Sequence, residues 1–246
     1  MAFFNSSNPA LRQNTFSRDS VIGPPMTING TIHKTGILLL LCIGAAAWTW
    51  NLAATGGAEA VQPWMIGGLF GGFIVAMITI FRMRAAPVTA PIYAVLEGFA
   101  LGGISSMLDK AYPGIAIEAV AVTFGALFVM LALYRAGVVR ATPMFVRGII
   151  IATSAICLVY IVNMVLGFFG HSVPMVNGGG AMGIGFSIVV VILATLNLVL
   201  NFAIIEQGAQ NGAPKYMEWY GAFSLMVTLV WLYMEVLRLL GKTRQR

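Results

Sequence analysis

The sequence predicts an all-α integral membrane protein with seven transmembrane helices, and three observations carry that prediction. The 246-residue chain is 59% hydrophobic and only 9% charged, with a mean hydropathy of +0.89. A soluble domain is about 25% charged, so water is the wrong solvent for this surface. The apolar residues fall in seven runs near the length of about 20 that a bilayer core requires of a helix. The basic residues collect in short clusters between those runs. That pattern signals topology and sets nucleic-acid binding aside despite the net charge of +6.

The runs are Gly36–Ala54, Trp64–Phe81, Ala90–Leu108, Ile115–Tyr134, Gly148–Phe169, Gly183–Ile205 and Trp219–Leu240. Residues 36–240 thus form one transmembrane domain of antiparallel neighbours. Residues 1–35 read as a flexible polar tail with at most one turn near "INGTIHK", and residues 241–246 as a short basic tail. Neither "NSS" at 5–7 nor "NGT" at 29–31 carries weight as a glycosylation site outside a secretory lumen. The pairs Gly67/Gly71, Gly68/Gly72 and Gly98/Gly102 have the small-xxx-small spacing that lets helices approach closely.

Orientation follows from Lys and Arg. Arg12, Arg18, Lys34, Arg82, Arg84, Arg135, Arg140, Arg147 and Lys215 all fall on one side, expected to be the cytoplasm, whereas the opposite loops offer Lys110 beside Asp109. The N-terminus is therefore expected inside. Arg238, Lys242, Arg244 and Arg246 break the pattern. Either the last run spans and carries them outside, or it is re-entrant; its unbroken length favours spanning.

Acids and amides inside hydrocarbon are functional candidates. Glu97 lies near the middle of the third run, where the functional reading is an ion or proton site and the plain one a hydrogen-bonded structural acid. Asn197 and Asn201 are four apart and so share a helix face; interhelical hydrogen bonding would account for both. Glu206 ends the sixth run. Glu235 lies three residues before Arg238, a spacing that pairs opposite charges, and seven after Thr228. Enzyme templates fit badly: HExxH, GxSxG and paired intramembrane aspartates are missing from the sequence. His33 and His171 are isolated in expected loops, and Cys42 and Cys157 lack metal-ligand spacing and read as small buried hydrophobes. No cofactor or bound metal is expected.

The order of the runs, the stretch "IYAVLEGFALGGIS" and above all "LNLVLNFAIIEQGAQNGAPKYMEWYGAFSLMVTLVWLYMEVLRLL" resemble the Bax inhibitor family, also called YccA-like or transmembrane Bax-inhibitor-motif proteins. "NPAL" in the N-terminal tail resembles its bacterial branch, which implies the inner membrane of a bacterium. The resemblance implies two three-helix layers around a central C-terminal helix. It also implies a pH-sensitive calcium leak, gated by aspartates on the sixth and seventh helices that share a proton, with an arginine at the end of the second helix engaging them. Arg84 of "FRMR" matches that arginine. The aspartate positions match Asn201 and Thr228, neither of which titrates. Glu97 then takes over proton sensing, or the leak is weak or pH-insensitive, or the protein only binds and regulates other membrane proteins. The expected function is a non-enzymatic cation leak, calcium foremost, with Glu97, Asn201, Thr228 and Asn197 on the ion pathway and Arg84, Glu206 and Glu235 as secondary candidates. Lipid is the sure partner; the oligomeric state stays open.

Overall fold

A computed structural model of the chain describes residues 24–171 and 173–245. The described residues form α1 (Ile28–Phe81), a 3-10 turn (Met83–Ala85), α2 (Ala86–Ala111), α3 (Ile115–Arg135), α4 (Pro143–Phe168), the short α5 (Pro174–Asn177), α6 (Ala181–Gln210) and α7 (Met217–Arg244). Six of these elements are long and apolar enough to cross a membrane. The flexible tail, "NPAL" and "NSS" expected over residues 1–23 lie outside the described residues.

The first element contains two of the expected runs. A straight helix of 54 residues would be about 81 Å long, far more than the roughly 30 Å hydrocarbon core. Gly57, at φ 76° and ψ −172°, breaks it. The left-handed φ is cheap for glycine alone. The halves 28–56 and 58–81 then double back, because the rings of Trp48 and Trp64 meet at 4.8 Å, whereas 16 residues of straight helix would separate them by about 24 Å. The expected loop between these runs is instead helical up to that one residue, since "AEAVQ" is built mostly of good helix formers.

The three-helix unit of both arms and α2 is sealed by glycine. A Cβ on Gly98 or Gly102 would collide with the first arm at Cys42 and Ala46, and one on Gly68 with the Leu96 carbonyl. The packing reading of these residues therefore describes what they do. Gly67 is different: nothing lies within 4 Å of its missing Cβ. Cys42 is buried as expected, but Cys157 is exposed on the outer surface of α4.

The last helix touches α1, α2, α3 and α6, and reaches α4 through the Tyr160–Glu235 hydrogen bond. It is central, yet it buries Glu218, Glu235 and Lys242. It also runs from one end of the bundle to the other. At its start, Glu218 accepts from Lys34 and Lys215. Near its end, Arg244 pairs with Glu118 at 2.5 Å and donates to the Pro113 carbonyl at 2.8 Å. The last run is thus one continuous helix joining opposite ends of the bundle, long and apolar enough to cross a membrane.

The N-terminal segment differs from expectation. Helix α1 starts at Ile28, with Thr27 capping it by accepting from the Gly30 amide, so His33 is helical and not in a loop. Met26 is only 4% exposed, and its amide donates to the Ala213 carbonyl at 2.7 Å. The segment is strapped across the α6–α7 turn because Glu218 binds Lys34 and both the amide and hydroxyl of Thr27.

Candidate functional site

Helices α6 and α7 are antiparallel neighbours, and polar side chains meet between them at two levels: near the end of α7, where Lys242 donates to Gly183 and Ser187 of α6, and in the middle of the seam. There Asn201 donates from Nδ2 to Thr228 Oγ1 at 2.6 Å. Ser224 Oγ donates to Asn201 Oδ1 at 2.6 Å, and Thr228 Oγ1 donates to the Ser224 carbonyl at 3.2 Å. The three form a closed ring. Asn201 and Thr228 are 7% and 8% exposed, and Leu198, Phe202, Leu225 and Leu229 of the same core surround them. An unpaired amide here would carry a desolvation cost, which the ring removes. The amide orientation is the one that satisfies this network. The structure thus brings Asn201 and Thr228 together. Ser224 was missed in the sequence, although its position four before Thr228 puts it on the same helix face.

Asn197 does not join the ring. Its Nδ2 donates across to Thr153 of α4 at 2.9 Å and to its own helix at the Leu193 carbonyl, also 2.9 Å. Sharing a broad face with Asn201 was therefore not enough to share a site. Four residues advance the helix by slightly more than one turn, and that offset aims the two amides at different neighbours.

Glu97 sits on the other side of the bundle. Its carboxylate occupies the space left by Gly72 of the second α1 arm, where a Cβ would lie 2.9 Å from Oε1, and it lies beside the Tyr93 hydroxyl. The Tyr93 ring packs edge-on against Phe223 of α7 at 5.0 Å. Phe223 precedes Ser224 in the chain. Among the described residues no hydrogen bond connects Glu97 to the ring, and no cation lies within salt-bridge distance of it.

The secondary candidates lie elsewhere. Glu206 accepts from the Tyr134 hydroxyl and from Gln210, which ties α6 to α3 at the basic end. Glu235 is 2% exposed and accepts from Tyr160 at 2.8 Å and from Arg238 at 3.2 Å, with the guanidinium also 4.9 Å from the Tyr160 ring centroid. It pairs with Arg238 as its spacing allows. Arg84 lies in the turn between α1 and α2 and makes no hydrogen bond to Asn201 or Thr228. Two buried polar pairings were not foreseen from the sequence. One is Glu218 with Lys34, 184 positions apart. The other is Lys242, 5% exposed, which donates to the Val176 and Gly183 carbonyls and to Ser187 at 2.7, 3.1 and 2.9 Å. No group of three or more His, Cys, Asp or Glu able to hold a metal occurs among the described residues.

The chemistry of the ring is that of a neutral oxygen cluster. Oxygen atoms suit hard cations such as calcium, and without a fixed negative charge they would hold one weakly. Conduction needs binding that is favourable enough to enter and weak enough to leave. The ring itself has nothing that titrates near neutral pH.

No curated protein and no solved structure matched the chain. A protein-family model described as Bax inhibitor 1 like matches residues 3–245, nearly the whole length. With its apolar helices and the polar seam between the last two, the chain belongs to the Bax inhibitor 1 like family of multi-pass membrane proteins.

Proposed function

We propose that this protein is a non-enzymatic leak for cations, calcium foremost, whose path follows the α6–α7 seam. The observation that carries the reading is the facing pair Asn201 and Thr228, joined at 2.6 Å among Leu198, Phe202, Leu225 and Leu229. With Ser224 they offer an ion three side-chain oxygens. Asn197 lies one turn further along α6, where Thr153 holds it. Glu97 is the candidate sensor, as a half-buried acid without a cationic partner among the described residues. An ionised Glu97 adds negative field and favours cation entry, and its protonation removes that field. Flux therefore rises with pH on this reading.

The two arms of α1 count as two spans, which makes seven, with α7 at the centre of two three-helix layers. Lys34, Arg82, Arg84, Arg135, Arg140, Arg147 and Lys215 gather at one end, which supports an N-terminus on the cytoplasmic side of a bacterial inner membrane. The test is calcium flux into proteoliposomes of the purified chain against empty vesicles, with Asn201→Leu as the control. Flux above background that falls several-fold in Asn201→Leu supports the seam.

One observation favours a second reading, a bilayer regulator that binds other membrane proteins. Gly67 faces outward with open space around it, as a helix-docking surface would. Gly68 and Gly72 cannot serve this role, because they are buried against α2. Co-purification of a membrane partner that is lost in Gly67→Leu, from protein that conducts no calcium, would move the assignment to this reading.

A further inference from the structure

The first arm of α1 and α3 are not packed against one another along their length, and a groove of about 560 Å³ lies between them. That volume is within the range of about 300–1,000 Å³ typical of ligand pockets. Its floor is α2 and α7. Small residues carve it, among them Ala46, Ala47, Gly102 and Ala116. Its rim carries Ile43, Ile117 and Val120, which are 53%, 76% and 44% exposed, so it opens sideways onto the surface that meets hydrocarbon.

The groove has a direction. Along the first arm its lining runs from Leu39 to Trp50, about 16 Å of helix. The Leu39 end, with Met226 and Leu229, is apolar but for Thr123, whose hydroxyl donates to the Ala119 carbonyl of its own helix. At the Trp50 end stand two hydroxyls, Ser105 and Tyr233, 2.7 Å apart. Gly102 is seated on Ala46 and Thr49, which sets Ser105, one turn further, level with Trp50. The two hydroxyls carry two protons and their mutual bond uses one. No other acceptor for either hydroxyl is present among the described residues, so one donor remains to serve a guest. An apolar cavity does not hold water well, so the guest must bring an apolar body and a single acceptor at one end.

We infer that this groove is a phospholipid site: one acyl chain of a membrane lipid lies between the first arm and α3, with its ester carbonyl accepting from the Ser105–Tyr233 hydroxyl pair. Trp50 at that end belongs to the residue type that settles at the headgroup level. The inference stands apart from the proposed leak, since it needs no conduction.

The test uses the full chain in vesicles containing a phosphatidylcholine with a photoreactive diazirine on its acyl chain, and mass spectrometry to locate the label. Labelling should concentrate on residues 39–50, 116–124 and 226–233, several-fold above outward residues of the second arm such as Phe70 and Ile74. Ala47→Trp, which fills the groove from an exposed position, should abolish the excess and leave the rest unchanged. Tyr233→Phe should reduce it in part. Even labelling of all lipid-facing helices would overturn the site, as would an excess that both variants leave intact. Labelling of the groove by a diazirine fatty acid alone, with none from the phospholipid, would overturn the assignment of its occupant.

Discussion

Two polar sites lie inside the same bundle and are built in opposite ways. Between α6 and α7, Asn201, Ser224 and Thr228 close on one another with short hydrogen bonds and no charge. Between α2 and the second arm of α1, Glu97 presents a carboxylate to the space beside Gly72, with no cation among the described residues to neutralise it. The first site stabilises contact between two helices and is indifferent to pH. The second can change charge. If the family's acidic pair matches Asn201 and Thr228, pH sensitivity has left the seam in this chain, and Glu97 is where it can reside. The other buried acids teach the same lesson from the opposite side. Glu218 and Glu235 each hold a basic partner, so neither stands unpaired as Glu97 does among the described residues.

The contrast is broken most strongly by returning carboxylates to the seam. Asn201→Asp combined with Thr228→Asp places two acids within hydrogen-bond reach, and they cannot both ionise cheaply. On a Glu97→Gln background this variant should conduct with a pH dependence approaching ten-fold per pH unit across the new transition, measured as calcium flux. Next in size is removal of the ring. Asn201→Leu takes the acceptor from Ser224 and a donor from Thr228, whose own bond to the Ser224 carbonyl remains, and should destabilise the fold by about 1–3 kcal/mol, less if Ser224 bonds back to its own helix; thermal unfolding in detergent reads this. A smaller effect sharpens the other site. Gly72→Ala puts a Cβ against the Glu97 carboxylate and should move the midpoint of any pH-dependent flux while leaving the flux at its plateau intact. The smallest is Asn197→Ala, which loses its bond to Thr153. It should cost about 0.6 kcal/mol, the average for hydrogen bonds between membrane helices, with flux unchanged if the pathway is confined to the ring and reduced if Asn197 belongs to it.

Much of the helix layout was legible because hydrocarbon demands apolar runs of fixed length, and Asn201 with Thr228 was legible through the family motif. Gly57 was not. It follows another glycine within a stretch of helix formers, and nothing local says which residue will turn the chain. The different partners of Asn197 and Asn201 depend on where α4 and α7 lie, which helical spacing does not encode. The pairing of Lys34 with Glu218 joins residues far apart in sequence. The basic tail broke the charge pattern, and its partners were not legible either: Arg238, Lys242 and Arg244 are bound to Glu235, to the α5–α6 backbone and to Glu118. The side chains of Arg82, Arg84, Arg135 and Arg147, at the opposite end, donate no hydrogen bond among the described residues. A positive residue already held by protein carries less weight as a topology signal than one left to meet the membrane surface.

The most direct test of the central claim is calcium flux into proteoliposomes between about pH 6 and pH 8, a range in which a buried carboxyl can titrate, for the unaltered chain and for Glu97→Gln. The account predicts flux above empty vesicles that rises with pH in the unaltered chain, and a rise that is lost in Glu97→Gln. Flux that climbs with pH equally in both would contradict the role of Glu97, and no flux above empty vesicles from folded protein would contradict the leak itself.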